Sequence, residues 1–174
     1  MGVRVKDGRL SARAEMPYQF DDGGRGGAGY KGSARDCVTR SIAIVTGMEY
    51  QRVYNDLRDR SEHYASTCRS DSRVGQYLRK PGKRSPRNGV FTKIAKSYLA
   101  DLGLIWTPTM GIGTGCRVTL CQGSLPPGRH IVKLSRHFSA VIDGVIYDTH
   151  DPSRGGWRCV YGYWTVVSPV EGLK

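Results

Sequence analysis

Cys37 stands between a glycine-rich approach and an apolar run, in KGSARDCVTRSIAIVTG at residues 31–47. A cysteine that opens a helix lies where unpaired backbone N–H groups and the helix dipole favour negative charge, so its thiolate is stabilised. Lys31, Arg35 and Arg40 place positive charge close by in sequence, and Asp36 opposes it. A thiolate nucleophile needs a base, and the base needs a group that fixes its tautomer. SRHFSAVIDGVIYDTHDPS, residues 135–153, offers both. If Asp143-Gly144 is a two-residue turn, Ile142 faces Val145, Ser139 faces Asp148 and His137 faces His150. Alternation along the strands then sets His137, Ser139, Asp148 and His150 on one face. Asp148 becomes the diagonal neighbour of His137, roughly 7–8 Å away between backbones, a span that two side chains close with a hydrogen bond. Asp151 falls opposite Arg136, points the other way and is the reserve carboxylate. His150 either shields the pair or caps the hairpin. The chemistry these residues suit is acyl transfer, with Cys37 attacking, His137 shuttling the proton and Asp148 orienting the imidazole.

The elements that must position them follow from periodicity. Val38, Ile42 and Val45 recur at helical spacing, with Asp36 as the expected N-cap and Gly47 as the stop. A second helix fits EYQRVYNDLRDR, where Tyr50, Val53, Tyr54 and Leu57 share a face. A third opens after Asn88-Gly89, with Val90, Ile94, Tyr98 and Leu102 as its apolar stripe and Gly103 as its end. Residues 1–36 read as an extended arm and loop, and residues 61–88 as a basic, mobile insertion. Strands come last: LIWTP, HIVKLS, HFSAVI, GVIYDT and CVYGYWTVV. Helices before strands indicate one α+β domain over residues 1–174, an N-terminal helical half packed against a largely antiparallel C-terminal sheet. GIGTGC, residues 111–116, lacks the strand-to-helix setting of a phosphate loop and reads as a plain loop.

The net charge of +12 and pI of about 9.8 attract anionic partners. Nucleic acid is one such partner, through the basic segment 69–87, although Tyr77 is its one aromatic for stacking. Cysteines 37, 68, 116, 121 and 159 cannot all pair within one chain, and no secretion signal opens the sequence, so a reducing cytoplasm is expected. No apolar run approaches the roughly 18 residues of a membrane span, and a soluble protein without a membrane partner is expected. Cys116 and Cys121 lack the second pair of a zinc site, His63 and His130 read as solvated or structural, and no cofactor is expected.

KGSARDC resembles the papain-type motif Q-G-S-C-G-S-C, with Gly32, Ser33 and Cys37 in matching places and a helix following. The histidine leading one strand and its partner on the next match the same family, which carries Asn-Ser-Trp where this chain has Asp148-Thr149-His150. AGYKGSARDCVTRSIAIVTG, SRHFSAVIDGVIYDTHDPS and VYGYW together are similar to uncharacterised papain-like proteins of tailed bacteriophages and prophages. The resemblance implies a papain-like fold, a site between its helical and sheet halves, and a location in the host-cell cytoplasm if the chain is phage-encoded. Papain-type enzymes hold the oxyanion with the motif's Gln and the nucleophile's own backbone N–H. Here that position is Lys31, and Ser33 and Asn88 are the alternatives. The expected function is cysteine-dependent hydrolysis of a peptide, isopeptide or related amide in a protein or peptide substrate. An acyl transferase or transamidase on the same triad is one alternative. A catalytically weak or inactive accessory protein that binds nucleic acid or an acidic host protein is the other.

Overall fold

A computed structural model describes residues 13–167, so the first part of the expected arm, residues 1–12, lies outside the described residues. The chain runs β1 (Tyr18–Phe20), α1 (Cys37–Thr46), α2 (Tyr50–Thr67), α3 (Arg73–Leu78), a 3-10 turn (Pro86–Asn88), α4 (Thr92–Asp101), β2 (Ile105–Pro108), β3 (Arg129–Leu134), β4 (His137–Ile142), β5 (Val145–Asp148) and β6 (Gly162–Thr165). This is a mixed α+β arrangement. Its six strands form one sheet in the order β1-β5-β4-β3-β6-β2.

Every strand pairing is antiparallel except β1 with β5, which is parallel, with Phe20 opposite Asp148. The sheet is therefore mixed, and its first strand precedes the helices inside what the sequence presents as an arm. Physical reasons for the difference are plain. β1 is three residues long and exposed throughout, so it has no alternation to read, and a parallel partner must come from far along the chain.

α1 is the central helix. Val38, Ile42 and Val45 are buried against Phe138, Ala140 and Ile131 of β4 and β3, with Val53 and Leu57 of α2 and Leu99 of α4 closing the same core. Burying side chains of this size stabilises by about 1.5–3 kcal/mol each, which is what holds the Cys37 end of α1 against the sheet. Gly47 ends the helix in the left-handed region at φ 76°, and its N–H donates to the Ala43 carbonyl. Two guanidinium N–H groups of Arg129 in β3 donate to the carbonyls of Val45 and Ile44, satisfying further groups at that end. A smaller core on the sheet's other side gathers Val132, Leu134, Val141, Ile146 and Leu120.

The expected irregular insertion over residues 61–88 is corrected. α2 continues to Thr67, and α3 follows with Ser72 capping it by accepting the Gly75 N–H. Val53, Leu57, Ser61 and Ala65 continue one buried stripe at four-residue spacing. Its second half consists of small residues, and the Ser61 hydroxyl is satisfied by the Leu57 carbonyl, so hydrophobicity alone does not show the face. Leu78 is 2 % exposed and packs with Ala65 and Ile94, tying the basic segment to α2 and α4. α4 starts at Thr92, two residues later than the sequence spacing suggests, because Gly89 turns the chain at φ 96°.

The cysteines also differ from expectation. Cys116 and Cys159 form a disulfide, Cα atoms 5.8 Å apart, across 43 residues of sequence. Thr119 and Cys159 face each other in an isolated antiparallel bridge, and it is this long-range pairing, absent from local spacing, that brings the two sulfurs together. Among the described residues no helix is long and apolar enough to cross a membrane.

Candidate functional site

The hairpin that carries His137 and Asp148 is built as its turn residues dictate. Ile142 pairs with Val145, Val141 with Ile146 and Ala140 with Tyr147, while Asp143 and Gly144 take φ values of 47° and 77°. Both turn residues at positive φ match the right-handed twist of a two-residue hairpin. Counting outward puts His137 at the start of β4 and Asp148 at the end of β5, while Cys37 is the first residue of α1. Cys37, His137, Val90 and Thr92 line one open cleft of about 660 Å³.

His137 Nε2 lies 2.7 Å from Asp148 Oδ2. With Nε2 committed, Nδ1 is the nitrogen free to serve the thiol, and the Cys37 sulfur sits close enough to act on the ring's ionisation. Burial alone would lower the imidazole pKa; the Asp148 hydrogen bond and the Cys37 sulfur overcome it, and it is pushed up to about 9. Asp148 shows the mirror case. Burial favours its neutral form, but His137 and Arg40 hold the carboxyl well below the usual range.

Asp148 is fully engaged. Its Oδ1 accepts from Arg40 Nη1 at 2.6 Å and from the Thr149 N–H at 2.7 Å, and Oδ2 serves His137. Arg40 in turn donates from Nε to Asp36 Oδ1 at 3.1 Å, and Tyr50 donates its hydroxyl to Asp36 Oδ2 at 2.7 Å. Arg25 approaches Asp36 at 3.7 Å. A buried line of alternating charge thus runs His137, Asp148, Arg40, Asp36. Asp36 is wholly buried and makes no side-chain cap to α1, which corrects its expected role: its carboxylate is turned inward to Arg40 and Tyr50. Arg40, read from the sequence as a nearby charge, is the bridge between helix and hairpin. The i,i+4 spacing of Asp36 and Arg40 is the local signal for half of that bridge.

The expected oxyanion donors lie elsewhere. Lys31 is exposed and outside the Cys37 cleft, with its carbonyl accepting from Arg87 Nη2 at 2.7 Å. The Asn88 amide donates to the Gly82 carbonyl at 2.7 Å, and Ser33 lines a neighbouring depression with Asn88 and Arg87. The reason is the approach loop's path: the Arg35 N–H is fixed to the Arg87 carbonyl, which carries residues 31–33 along the 3-10 turn rather than over the sulfur. Cys37 itself lines the cleft at the start of α1, where the first backbone N–H groups of the helix have no intrahelical acceptor.

His150 is exposed on the rim of the cleft, its ring centroid 5.1 Å from that of His137. Asp151 takes no part in the cleft; its two oxygens hold the Ser153 N–H and hydroxyl in a local turn. His130 is wholly buried between Thr165 Oγ1 and the Pro126 carbonyl. Among the described residues no cluster of three or more His, Cys, Asp or Glu side chains is arranged to hold a metal ion.

No known protein family, no curated protein and no solved structure matches this chain.

Proposed function

We propose that the chain is a cysteine-dependent hydrolase of a peptide, isopeptide or related amide bond, working through a papain-like Cys37, His137 and Asp148 triad. The observation that carries this reading is the 2.7 Å hydrogen bond between Asp148 and the imidazole of His137, a ring that lines one open cleft together with Cys37. Cys37 at the start of a helix and His137 with Asp148 on a hairpin fit a papain-like division of labour between helical and sheet halves.

The steps follow from the geometry. An imidazolium beside the sulfur favours the thiolate, which attacks the acyl carbon. The Cys37 N–H, at the positive end of α1, donates to the oxygen that gains charge. As the C–N bond breaks, His137 gives its proton to the leaving amine. Water then attacks the thioester, His137 takes the water's proton, and the acid leaves with the thiolate restored. Asp148 keeps Nε2 occupied throughout, so that Nδ1 does the proton work. An amine in place of water gives transamidation on the same thioester, and product analysis with added amine separates the two outcomes.

Iodoacetamide labelling followed by mass spectrometry tests the reading. Cys37 is expected to alkylate at pH 5.5 at least ten times faster than free glutathione, and His137→Ala is expected to abolish that advantage. Equal rates for Cys37 and glutathione at that pH would refute the activated thiol.

A further inference from the structure

The cleft at Cys37 does not end at the sulfur. Arg35 lines it together with two neighbouring depressions, and Arg136 lines it together with one of them, so the three form a continuous groove. The groove leads from Lys133 at Cys37, past Arg136 and Arg35, to Lys83 and Arg87. Among the described residues no Asp or Glu lines any of the three depressions. The two carboxylates beneath the site, Asp36 and Asp148, are buried and spent on Arg40, Tyr50 and His137.

A chain with net charge +12 shows cations on most faces, so their segregation is what matters. The depression beside α2 mixes signs, with Asp59 and Glu62 alongside Arg79 and Arg84. The groove at Cys37 does not. Among the described residues Arg35, Lys133 and Arg136 form no salt bridge. Arg136 sits at φ 56° in the two-residue turn between β3 and β4, a backbone position that glycine takes at lower cost. A side chain kept there despite that cost points to use of its guanidinium at the cleft. Lys133 is half-buried with Lys96 as a like-charged neighbour, so an arriving carboxylate relieves an existing repulsion.

We infer that this groove binds an acidic peptide segment, Lys133 and Arg136 taking carboxylates next to the bond attacked by Cys37 and Arg35, Arg87 and Lys83 taking those farther along. The inference rests on the hydrolase reading for the bond attacked and adds the charge of the substrate. Peptide is favoured over nucleic acid on two grounds. A thiolate that attacks acyl carbon has no target in a polynucleotide. Tyr77, the aromatic side chain lining the groove's far end with Phe91, packs edge-on against that ring at 5.4 Å and carries Lys83 over its own ring at 5.7 Å, which leaves a poor stacking platform for bases.

The test uses full-length Cys37→Ser protein and three fluorescein-labelled probes at 50 mM NaCl: a Glu-rich decapeptide, its Lys-for-Glu counterpart, and an oligo-dT of the same charge as the first. The acidic peptide is expected to bind at least tenfold tighter than the oligo-dT, and the Lys peptide not at all. Arg35→Glu/Arg136→Glu is expected to weaken acidic-peptide binding at least tenfold, while Arg69→Glu/Arg73→Glu, the same charge change on the exposed α3 side, changes it less than twofold. Equal losses in the two double variants, oligo-dT binding as tightly as the peptide, or no peptide binding would each overturn the inference. Protection of Cys37 from iodoacetamide by the acidic peptide, measured on protein retaining the cysteine, keeps the two readings apart. A fast-labelling Cys37 that the peptide does not protect overturns the groove alone. A slow-labelling Cys37 in a protein that still binds the peptide in the cleft supports the groove and refutes the hydrolase.

Discussion

Asp148→Asn isolates the electrostatics of the site with little change of shape. The amide oxygen still accepts from Arg40, and Arg40 keeps Asp36, so the joint between α1 and the hairpin retains its partners. What is lost is the negative charge, and with it the acceptor, 2.7 Å from His137 Nε2, which then faces an amide NH2. In the native protein that charge, with the Cys37 sulfur, lifts the imidazole from 6.5 to about 9 against the opposing effect of burial. At about 1.4 kcal/mol per unit, the rise corresponds to roughly 3 kcal/mol of preference for imidazolium in the folded state. Because the folded pKa is the higher one, this stabilisation is complete below about pH 6.5 and is lost as pH rises through about 9. Without the carboxylate, burial dominates and the imidazole is expected to titrate at least ~2 units lower, near or below neutrality. The ε1 carbon of 13C-labelled histidine, assigned among the four histidines by a His137→Gln variant, reports the titration directly. Urea unfolding at pH 6, 7.5 and 9 reports the linked stability, which should fall by roughly 3 kcal/mol across that range in the native protein and stay nearly flat in Asp148→Asn. A native His137 that titrates near 6.5, or a variant that still titrates near 9, would refute the reasoning.

Arg40→Met leaves Asp36 and Asp148 buried without their shared cation, and a loss of about 3–5 kcal/mol of stability is expected in urea unfolding at pH 7. Lowering the pH should narrow that deficit, since a protonated carboxyl needs no counter-charge; a deficit independent of pH would point to packing instead. Leu78→Ala opens a cavity between α2, α3 and α4 and is expected to cost about 2–5 kcal/mol, with faster tryptic cleavage between residues 69 and 87. A cost below about 0.5 kcal/mol would mean that α3 does not share the fold's cooperativity.

How far these features can be read from the chain alone depends on the range over which each is encoded. The register of β4 and β5 follows from Asp143-Gly144 and alternation, because a two-residue turn fixes every later pairing. The same local rule brings His137 and Asp148 together. α1 is legible from Val38, Ile42, Val45 and Gly47. Asp36 has the right residue type for a cap, yet the cap competes with a buried Arg40 and Tyr50, and burial among charged partners wins. The α2 stripe fades in sequence where Ser61 and Ala65 replace large residues, although the helix does not. Lys31 matches the oxyanion residue by position, with Ser33 and Asn88 as the alternatives, but loop paths place the donors, and residues 31–33 follow Arg87 instead of the sulfur. The β1 pairing and the Cys116–Cys159 bond are long-range events with no local trace.

The buried line from His137 through Asp148 and Arg40 to Asp36 serves the fold as much as the site, because it fastens the first turn of α1 to the β4–β5 hairpin. Three of the groups at the proposed site are therefore guarded by the need to fold, and Cys37, half-exposed at the helix tip, is not. In any lineage descended from this chain, the proposed chemistry can be lost by exchanging one sulfur while the architecture around it survives, so an intact His–Asp–Arg bridge without the cysteine would be the fossil of that proposed activity.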